Sequence, residues 1–415
     1  MNIIIINHYA GSPEMGMEYR PYYFAKEWIK FGHNVTIIAG NYSHIRRINP
    51  EFETNYTVQN TDGIEYLWIK TSKYRGNGIG RIKNMFDYIR KLTRKAKYIS
   101  SKYKPDVVIA SSTYPSDNYI ARKIAKLNNA KYVYEVHDLW PLSLIELGGM
   151  SVYHPFVLLM QHGENYAYKK ADIVISMLPE TREHMKYHGL DLKKWYYIPN
   201  GIDPEEWSNR IELNLKTQNF ILDIRKKYSY IIAYTGTLGL ANSLDTLIHS
   251  AKLIENFSVA VVIVGKGPEK NNLLKLVEKE KIINVFFGES ISKQEIPALM
   301  LLFDILYIGL KYQPLFRFGI SPNKMMDYMM SGKPIIQSIN AGNNMVKEAG
   351  CGFDIESENP EAVAQAIKKL IKMSKNELQL MGENGKKFVT KNHVYQVLAK
   401  KYIDIFQKIN DKFSE

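Results

Sequence analysis

Residues 230–264 read YIIAYTGTLGLANSLDTLIHSAKLIENFSVAVVIV. Tyr230–Tyr234 and Val259–Val264 are short apolar runs bounded by turn residues, and both are predicted as strands. Leu244–Ile254 lies between them and repeats its apolar positions every three or four residues, as a helix does. Strand, helix and strand in that order form a βαβ crossover and require a parallel sheet. The alternation continues downstream. A helix is predicted over Lys270–Lys279, a strand over Val285–Phe287, a helix over Ile296–Leu302 and a strand over Ile305–Ile308. A helix over Asn323–Ser331 and a strand over Pro334–Gln337 follow, with terminal helices at Glu361–Met373 and Val394–Ile409.

Upstream the same grammar appears independently. Asn2–Asn7 is an isoleucine-rich strand, His8–Gly16 a Gly/Pro loop, Glu18–Phe31 a helix stopped by Gly32, and Val35–Ala39 a second strand. Asp106–Ala110, Lys131–Val136, Ile173–Ser176 and Trp195–Ile198 are further strands, with helices at Asn118–Leu127 and Phe156–Lys169. Asp203–Lys227 is polar, without a strong core period, and separates the two halves. The expected fold is α/β, with two doubly wound Rossmann-like domains facing each other across a cleft. The expected boundaries are 1–202 and 203–393, with a C-terminal helix at about 394–415 expected to pack back on the first domain.

The 415 residues are 45% hydrophobic and 23% charged, an ordinary globular balance that excludes disordered and collagen-like classes. One cysteine, Cys351, cannot form an internal disulfide or a cysteine-based zinc cluster, which suits a reducing cytosol. Met1–Ile6 has no basic n-region, so a signal peptide is not expected, and no apolar run approaches the ~20 residues that span a bilayer. The net charge of +13 is uneven: Lys70–Lys104 carries 12 basic residues and the single acid Asp87. Such a stretch attracts anions. Ile79, Ile82, Phe86, Ile89, Leu92, Ala96 and Ile99 form one helical stripe within it. The cations then form a solvated face or meet an anionic lipid surface; nucleic acid ranks behind these, since no binding module matches.

Ligands of open α/β sheets bind outside the carboxyl ends of the strands, so the loops there are the candidates. Gly11-Ser12-Pro13-Glu14-Met15-Gly16 follows the first strand and reads either as a tight turn or as a phosphate cradle. Glu135-Val136-His137-Asp138-Leu139-Trp140-Pro141 sets a His beside an Asp at a strand end. His137 could polarise a hydroxyl or donate to a developing anion; the bland alternative is a local hydrogen bond, with Asp138 capping the next turn. Gly265-Lys266-Gly267 reads as a bare turn or as room for a base or phosphate. The stretch from Gly319 to Pro334 is the most specific. Ser321 fits an N-cap, Pro322 the first helical position and Gly332 the stop. Lys324 near the helix start opposes the helix dipole and so implies an anion to neutralise, and Asp327 one turn on could hold vicinal hydroxyls. Met325, Met326, Met329 and Met330 are read as core. No Asp-x-Asp, Walker A, Gly-x-Ser-x-Gly or His-Glu-x-x-His motif occurs.

In order and spacing these pieces resemble the bacterial retaining glycosyltransferases of family 4, which have the GT-B fold. The resemblance spans nearly the whole chain. It rests on Gly16 with Arg20, the 135–141 segment, Ala171–Ser176, Pro199-Asn200-Gly201-Ile202-Asp203, Tyr234-Thr235-Gly236, Val264–Pro268 and Ser321 through Pro334. Asp-Leu-Trp-Pro and Ser-Pro-Asn-Lys look most like the O-antigen and capsule branch that includes N-acetyl-L-fucosamine transferases.

The resemblance implies transfer of a sugar from a UDP-sugar co-substrate to an undecaprenyl-diphosphate-linked sugar, with retention, by a cytoplasmic protein peripheral to the inner face of the membrane. No cofactor and no metal are implied. His137 would face the donor sugar and Gly16 the diphosphate, with Arg20 and Asp138 on the acceptor side. Gly236, Thr237, Gly265, Lys266, Gly267, Ser321, Pro322 and Asn323 would line the donor site, and Asp327 would hold the ribose. Two departures stand out. The first acid of the family's E-x7-E element falls at Gly319, and its diphosphate-binding Arg and Lys align with the neutral Thr237 and Asn242. Lys324, helped by Arg317, is expected to replace those cations. A sugar-nucleotide 2-epimerase of the same architecture is the alternative enzyme, and a basic nucleic-acid-binding protein the non-enzymatic one.

Overall fold

The computed structural model describes residues 1–16, 18–76, 78–209 and 211–411, with side chains to residue 408. The chain divides into two compact units, Met1–Pro199 with Tyr395–Glu415, and Asn200–Val394.

The first unit is built on an eight-stranded sheet: β1 (Asn2–Ile6), β2 (Asn34–Gly40), β3 (Tyr56–Thr61), β4 (Ile64–Ile69), β5 (Val107–Ala110), β6 (Lys131–Val136), β7 (Ile173–Ser176) and β8 (Trp195–Tyr197). Their order is β3-β4-β2-β1-β5-β6-β7-β8, parallel throughout except for the β3–β4 hairpin at one edge. The strand order reverses at β1, which pairs with β2 on one side and β5 on the other. That reversal opens a crevice at the carboxyl ends of β1 and β5. Ile3 and Ile5 pack under one face with Phe24 and Trp28, and the helix Tyr395–Asp411 closes the same core through Leu398, Tyr402 and Phe406. The Trp28 indole donates to the carbonyl of Ala399 at 3.2 Å, so this last helix is keyed as well as packed.

The second unit holds β9 (Tyr230–Thr235), β10 (Val259–Val264), β11 (Val285–Gly288), β12 (Ile305–Gly309), β13 (Ile335–Ser338) and β14 (Gly352–Ile355). The order β11-β10-β9-β12-β13-β14 is wholly parallel, with its reversal between β9 and β12. β9 and β10 are buried on both faces, which is why their sequences are continuous apolar runs rather than alternating ones.

Several elements escaped the sequence reading. The β3–β4 hairpin turns at Asp62-Gly63, both at positive φ as a type I′ turn requires. The polar stretch after residue 203 contains a helix at Leu215–Arg225, capped by the Asn214 side chain on the Thr217 N–H. The helix Lys375–Asn392 begins with a Ser374/Glu377 capping box. The first helix starts at Arg20 rather than Glu18. The basic stripe is helical over Ile79–Tyr103, with Leu92, Ala96 and Ile99 buried and Ile79 and Phe86 exposed. No helix among the described residues is long and apolar enough to cross a membrane.

Candidate active site

At the end of β6, successive side chains alternate between faces, so Glu135 and His137 fall on the same side. Both are buried. His137 Nε2 lies 2.9 Å from Ser111 Oγ and 3.2 Å from Glu135 Oε2, and its Nδ1 lies 3.5 Å from Glu18 Oε1. Burial opposes the imidazolium, but hydrogen bonds and charge from Glu135 and Glu18 outweigh it and push the ring up to about 10. His137 is therefore a protonated donor at neutral pH. Glu135 is held far below the usual carboxylate range: burial would raise it, and Arg20, His137 and Ser111 prevail.

Arg20 sits behind this pair. Its Nε donates to Glu135 Oε1 at 2.9 Å and its Nη2 to the Ile198 carbonyl at 2.8 Å, while the Tyr402 hydroxyl donates to the same Glu135 oxygen. With 2% of its surface exposed, Arg20 has no face to offer an acceptor. Its guanidinium neutralises and orients Glu135 from within the core. Asp138 is exposed at the strand end and caps nothing, because the following helix Leu142–Glu146 has Pro141 at its N-cap without a side-chain bond.

Gly16 stands at φ +90°, and a Cβ there would come within 3.0 Å of the Arg47 backbone nitrogen. Its own N–H is bonded to the Ser12 carbonyl at 3.0 Å. The glycine thus serves a tight turn packed under residues 46–48, and that N–H is committed within the loop.

In the second unit the focus is the loop after β9. Lys324 Nζ donates to Tyr234 Oη and to Asn242 Oδ1, each at 2.8 Å, and lies 4.4 Å from the Tyr234 ring centroid. Tyr234 Oη in turn donates to the Thr237 carbonyl at 2.7 Å, which also accepts Asn242 Nδ2 at 3.0 Å. One lysine therefore ties down the whole 234–242 loop. Its partners are a phenol and an amide, not a carboxylate, and burial lowers it to about 7. Gly236 and Thr237 are exposed beside it, and a Cβ on Gly236 would lie 3.4 Å from Lys324 Nζ.

Gly265 and Gly267 are needed for a different reason than ligand approach. A Cβ on Gly265 would fall 1.9 Å from the Gly236 carbonyl oxygen, and one on Gly267 would fall 2.2 Å from that of Leu238. The two loops lie backbone to backbone, with Leu238 N–H bonded to the Lys266 carbonyl at 2.9 Å. The space these glycines leave is filled by the protein's own backbone; the Lys266 side chain is exposed.

The helix carrying Lys324 runs Asn323–Met330, with Pro322 as N-cap and Asn323 exposed in its first turn. Ser321 is not the cap. Its Oγ accepts the Asn200 N–H at 2.9 Å and its carbonyl accepts Asn200 Nδ2 at 2.7 Å, so the residue anchors the 199–201 turn instead. Gly332 ends the helix at φ +68°, and the four methionines are buried. Gly319 has φ +95°, a conformation costly for an acidic side chain, which gives a backbone reason for the missing acid. Asp327 turns to other neighbours than Lys324. Burial pushes it up to about 6, Lys293 and a Trp207 hydrogen bond lower it, and Glu206 raises it. Arg317 is exposed, its Nη1 bonded to the Pro314 carbonyl at 2.7 Å and its guanidinium 4.3 Å from the Phe318 ring centroid. Glu18, Ser111, Glu135, Tyr234 and Tyr402 belong to these clusters and were not singled out as site residues from sequence.

Residues 15–206 match the family model described as Glycosyltransferase Family 4, and residues 199–388 match that described as Glycosyl transferases group 1. No curated protein matches the chain in sequence. Among solved structures it is similar to a sucrose-phosphate synthase from Thermosynechococcus elongatus, at 14% identity and TM-score 0.73, over 99% of this chain and 100% of that one. It is also similar to Anabaena HepE in complex with UDP and glucose, at 14% identity and TM-score 0.65, over all of both chains. WaaG, a glycosyltransferase involved in lipopolysaccharide biosynthesis, matches at 15% identity and TM-score 0.65, over 97% of this chain and 99% of that one. At such identities the likenesses establish the fold alone. With Rossmann-like sheets in both units and the two family matches meeting near residue 200, the chain is a GT-B glycosyltransferase of the family 4 type.

Proposed function

We propose that the protein transfers a sugar from a UDP-sugar to a lipid-diphosphate-linked sugar, with retention at the anomeric carbon, in bacterial surface polysaccharide synthesis. The observation that carries this reading is Lys324: a buried amine on the first turn of a helix, held by neutral partners beside the exposed residues Gly236 and Thr237. A buried cation without a carboxylate is costly, and an incoming diphosphate would relieve that cost. The amine and the N–H groups at the start of Asn323–Met330 would then stabilise the leaving diphosphate as its charge develops, without a metal ion. Asp327 would hold the ribose hydroxyls. UDP as the nucleotide is supported by the HepE complex with UDP and glucose.

His137, protonated and fixed by Glu135, is suited to donate a hydrogen bond to the donor sugar or its phosphate and unsuited to act as a base at neutral pH. A front-face route, in which the departing phosphate takes the acceptor proton, fits that state. The exposed Asp138 and the basic helix Ile79–Tyr103 support an acceptor and an anionic membrane surface on the first unit. An N-acetylated amino sugar such as N-acetylfucosamine is the expected donor sugar, on the strength of the Asp-Leu-Trp-Pro and Ser-Pro-Asn-Lys segments.

The deciding experiment offers a panel of sugar nucleotides with lipid-diphosphate acceptors and reads which nucleotide is released. Release only when acceptor is present supports transfer; consumption without acceptor indicates the 2-epimerase. Salt-sensitive oligonucleotide binding with no response to any nucleotide sugar would indicate a nucleic-acid binder. Loss of turnover in EDTA that magnesium or manganese restores would overturn the metal-free donor site.

A further inference from the structure

The helix Pro155–Lys170 presents Glu164 toward the short helix Arg182–Tyr187, which carries His184 and ends at His188. The two histidines are four residues apart, the spacing that stacks side chains on one helical face. Their ring centroids are 4.6 Å apart, and His184 Nε2 lies 4.0 Å from Glu164 Oε1, beyond hydrogen-bond length. One ligand-capable atom from each of Glu164, His184 and His188 lies within 4.8 Å of the other two. We propose that Glu164, His184 and His188 bind one divalent transition-metal ion, zinc in the first instance, which ties these two helices together.

The donor set is of the right kind. Two imidazoles and a carboxylate form a common zinc triad, with water in the fourth position. Zinc bonds of about 2.0–2.1 Å place tetrahedral ligand atoms about 3.4 Å apart, so each atom need move by less than about 1 Å. The Glu164 carboxyl is buried, and among the described residues no Lys or Arg pairs with it. A cation at that place would compensate its charge. The outer shell is also built. Tyr168 Oη donates to Glu164 Oε1 at 2.8 Å and Gln161 Nε2 to Oε2 at 2.7 Å. His188 Nδ1 lies 3.0 Å from both Asn165 Oδ1 and Gln161 Nε2, which fixes the ring plane. Such outer partners orient metal ligands in known sites. Any proton on the coordinating atoms is released on binding. The proposal does not rest on the transferase reading.

The test uses the full chain, stripped with chelator, then titrated with zinc against a chromophoric competitor. The wild type should take up about one zinc ion per chain and melt at a higher temperature with zinc than without. His188→Ala and Glu164→Gln should each weaken zinc by at least the ~10–100-fold that loss of an outer partner costs, and should lose the thermal response. Cobalt(II) should give the intense visible bands of a tetrahedral site in the wild type and not in His188→Ala. Glu183→Gln, at a neighbouring side chain 81% exposed, should behave as wild type. Zinc uptake that is absent from the wild type, or equal in the wild type and His188→Ala, overturns the proposal. Sugar transfer is not the readout, so failure here leaves the enzymatic reading untouched.

Discussion

Glu135 divides its two oxygens between a buried arginine and the site histidine: Oε1 takes Arg20 Nε at 2.9 Å, and Oε2 lies 3.2 Å from His137 Nε2. The carboxylate is thereby compensated on both sides, and the histidine inherits a fixed ring plane and a proton.

Arg20→Ala should be strongly destabilising, because it leaves the Glu135 charge buried with half its compensation. Loss of one partner of a buried pair costs ~3–5 kcal/mol. Urea denaturation of wild type and variant measures it. A double variant, Arg20→Met with Glu135→Gln, should recover much of the loss; no recovery would show that Arg20 acts mainly through its carbonyl contacts.

The protonated His137 makes stability depend on alkaline pH. Its folded value of about 10 lies above the ordinary 6.5, so its contribution is fully present below pH 6.5 and is lost as pH rises toward 10. Glu135, held low, contributes above its ordinary 4.5 and loses this on acidification. Lys324 runs the other way, since a lysine lowered to about 7 gains stability as pH climbs toward 10.5. The difference in melting temperature between wild type and His137→Gln cancels the lysine. That difference should shrink steadily from pH 7 to 10, and a constant difference would contradict the charged histidine.

Replacing Lys324 should separate stability from activity. Lys324→Met removes an ammonium that burial disfavours, so the melting temperature should hold or rise. Turnover should fall ~100- to 1,000-fold, the usual cost of losing one preorganised donor to a developing anion. Donor affinity should fall too, measured by UDP titration calorimetry. A variant with unchanged UDP affinity and turnover would remove Lys324 from the site.

Gly265→Ala should damage the 234–242 loop without unfolding the second unit, in which it lies. The added methyl would meet the Gly236 carbonyl at 1.9 Å, so the 236–238 segment must move and carry Tyr234 and Lys324 contacts with it. Circular dichroism should report folded protein and calorimetry weakened UDP binding. Gly332→Ala, strained only by its φ of +68°, should cost ~1–2 kcal/mol of stability and leave binding intact.

The parallel sheets were legible because buried βα repeats write their period directly into the chain, as Val259–Val264 does. The β3–β4 hairpin left an Asp62-Gly63 signal, and the helix Lys375–Asn392 a Ser374/Glu377 box; both are polar outside and were overshadowed by the apolar pattern. The role of Arg20 had no local signature at all. Its partners lie at residues 135, 198 and 402, and only the folded backbone brings them together. Gly265 and Gly267 show a related ambiguity, because sequence reports that space is needed without saying whether ligand or protein fills it. The place of Lys324 in the first turn of a helix was legible because the Ser-Pro start and Gly332 stop of that helix are local signals.

The Tyr402 hydroxyl on Glu135 reaches back across 267 residues of chain. A fragment ending at Pro199 would expose Phe24 and Trp28 and deprive Glu135 of that phenol, although every strand of its sheet would be present. During synthesis the core of the first unit is therefore complete only once the helix Tyr395–Asp411 has left the ribosome. Truncations at the carboxyl end should then register as damage around His137, far upstream of the cut.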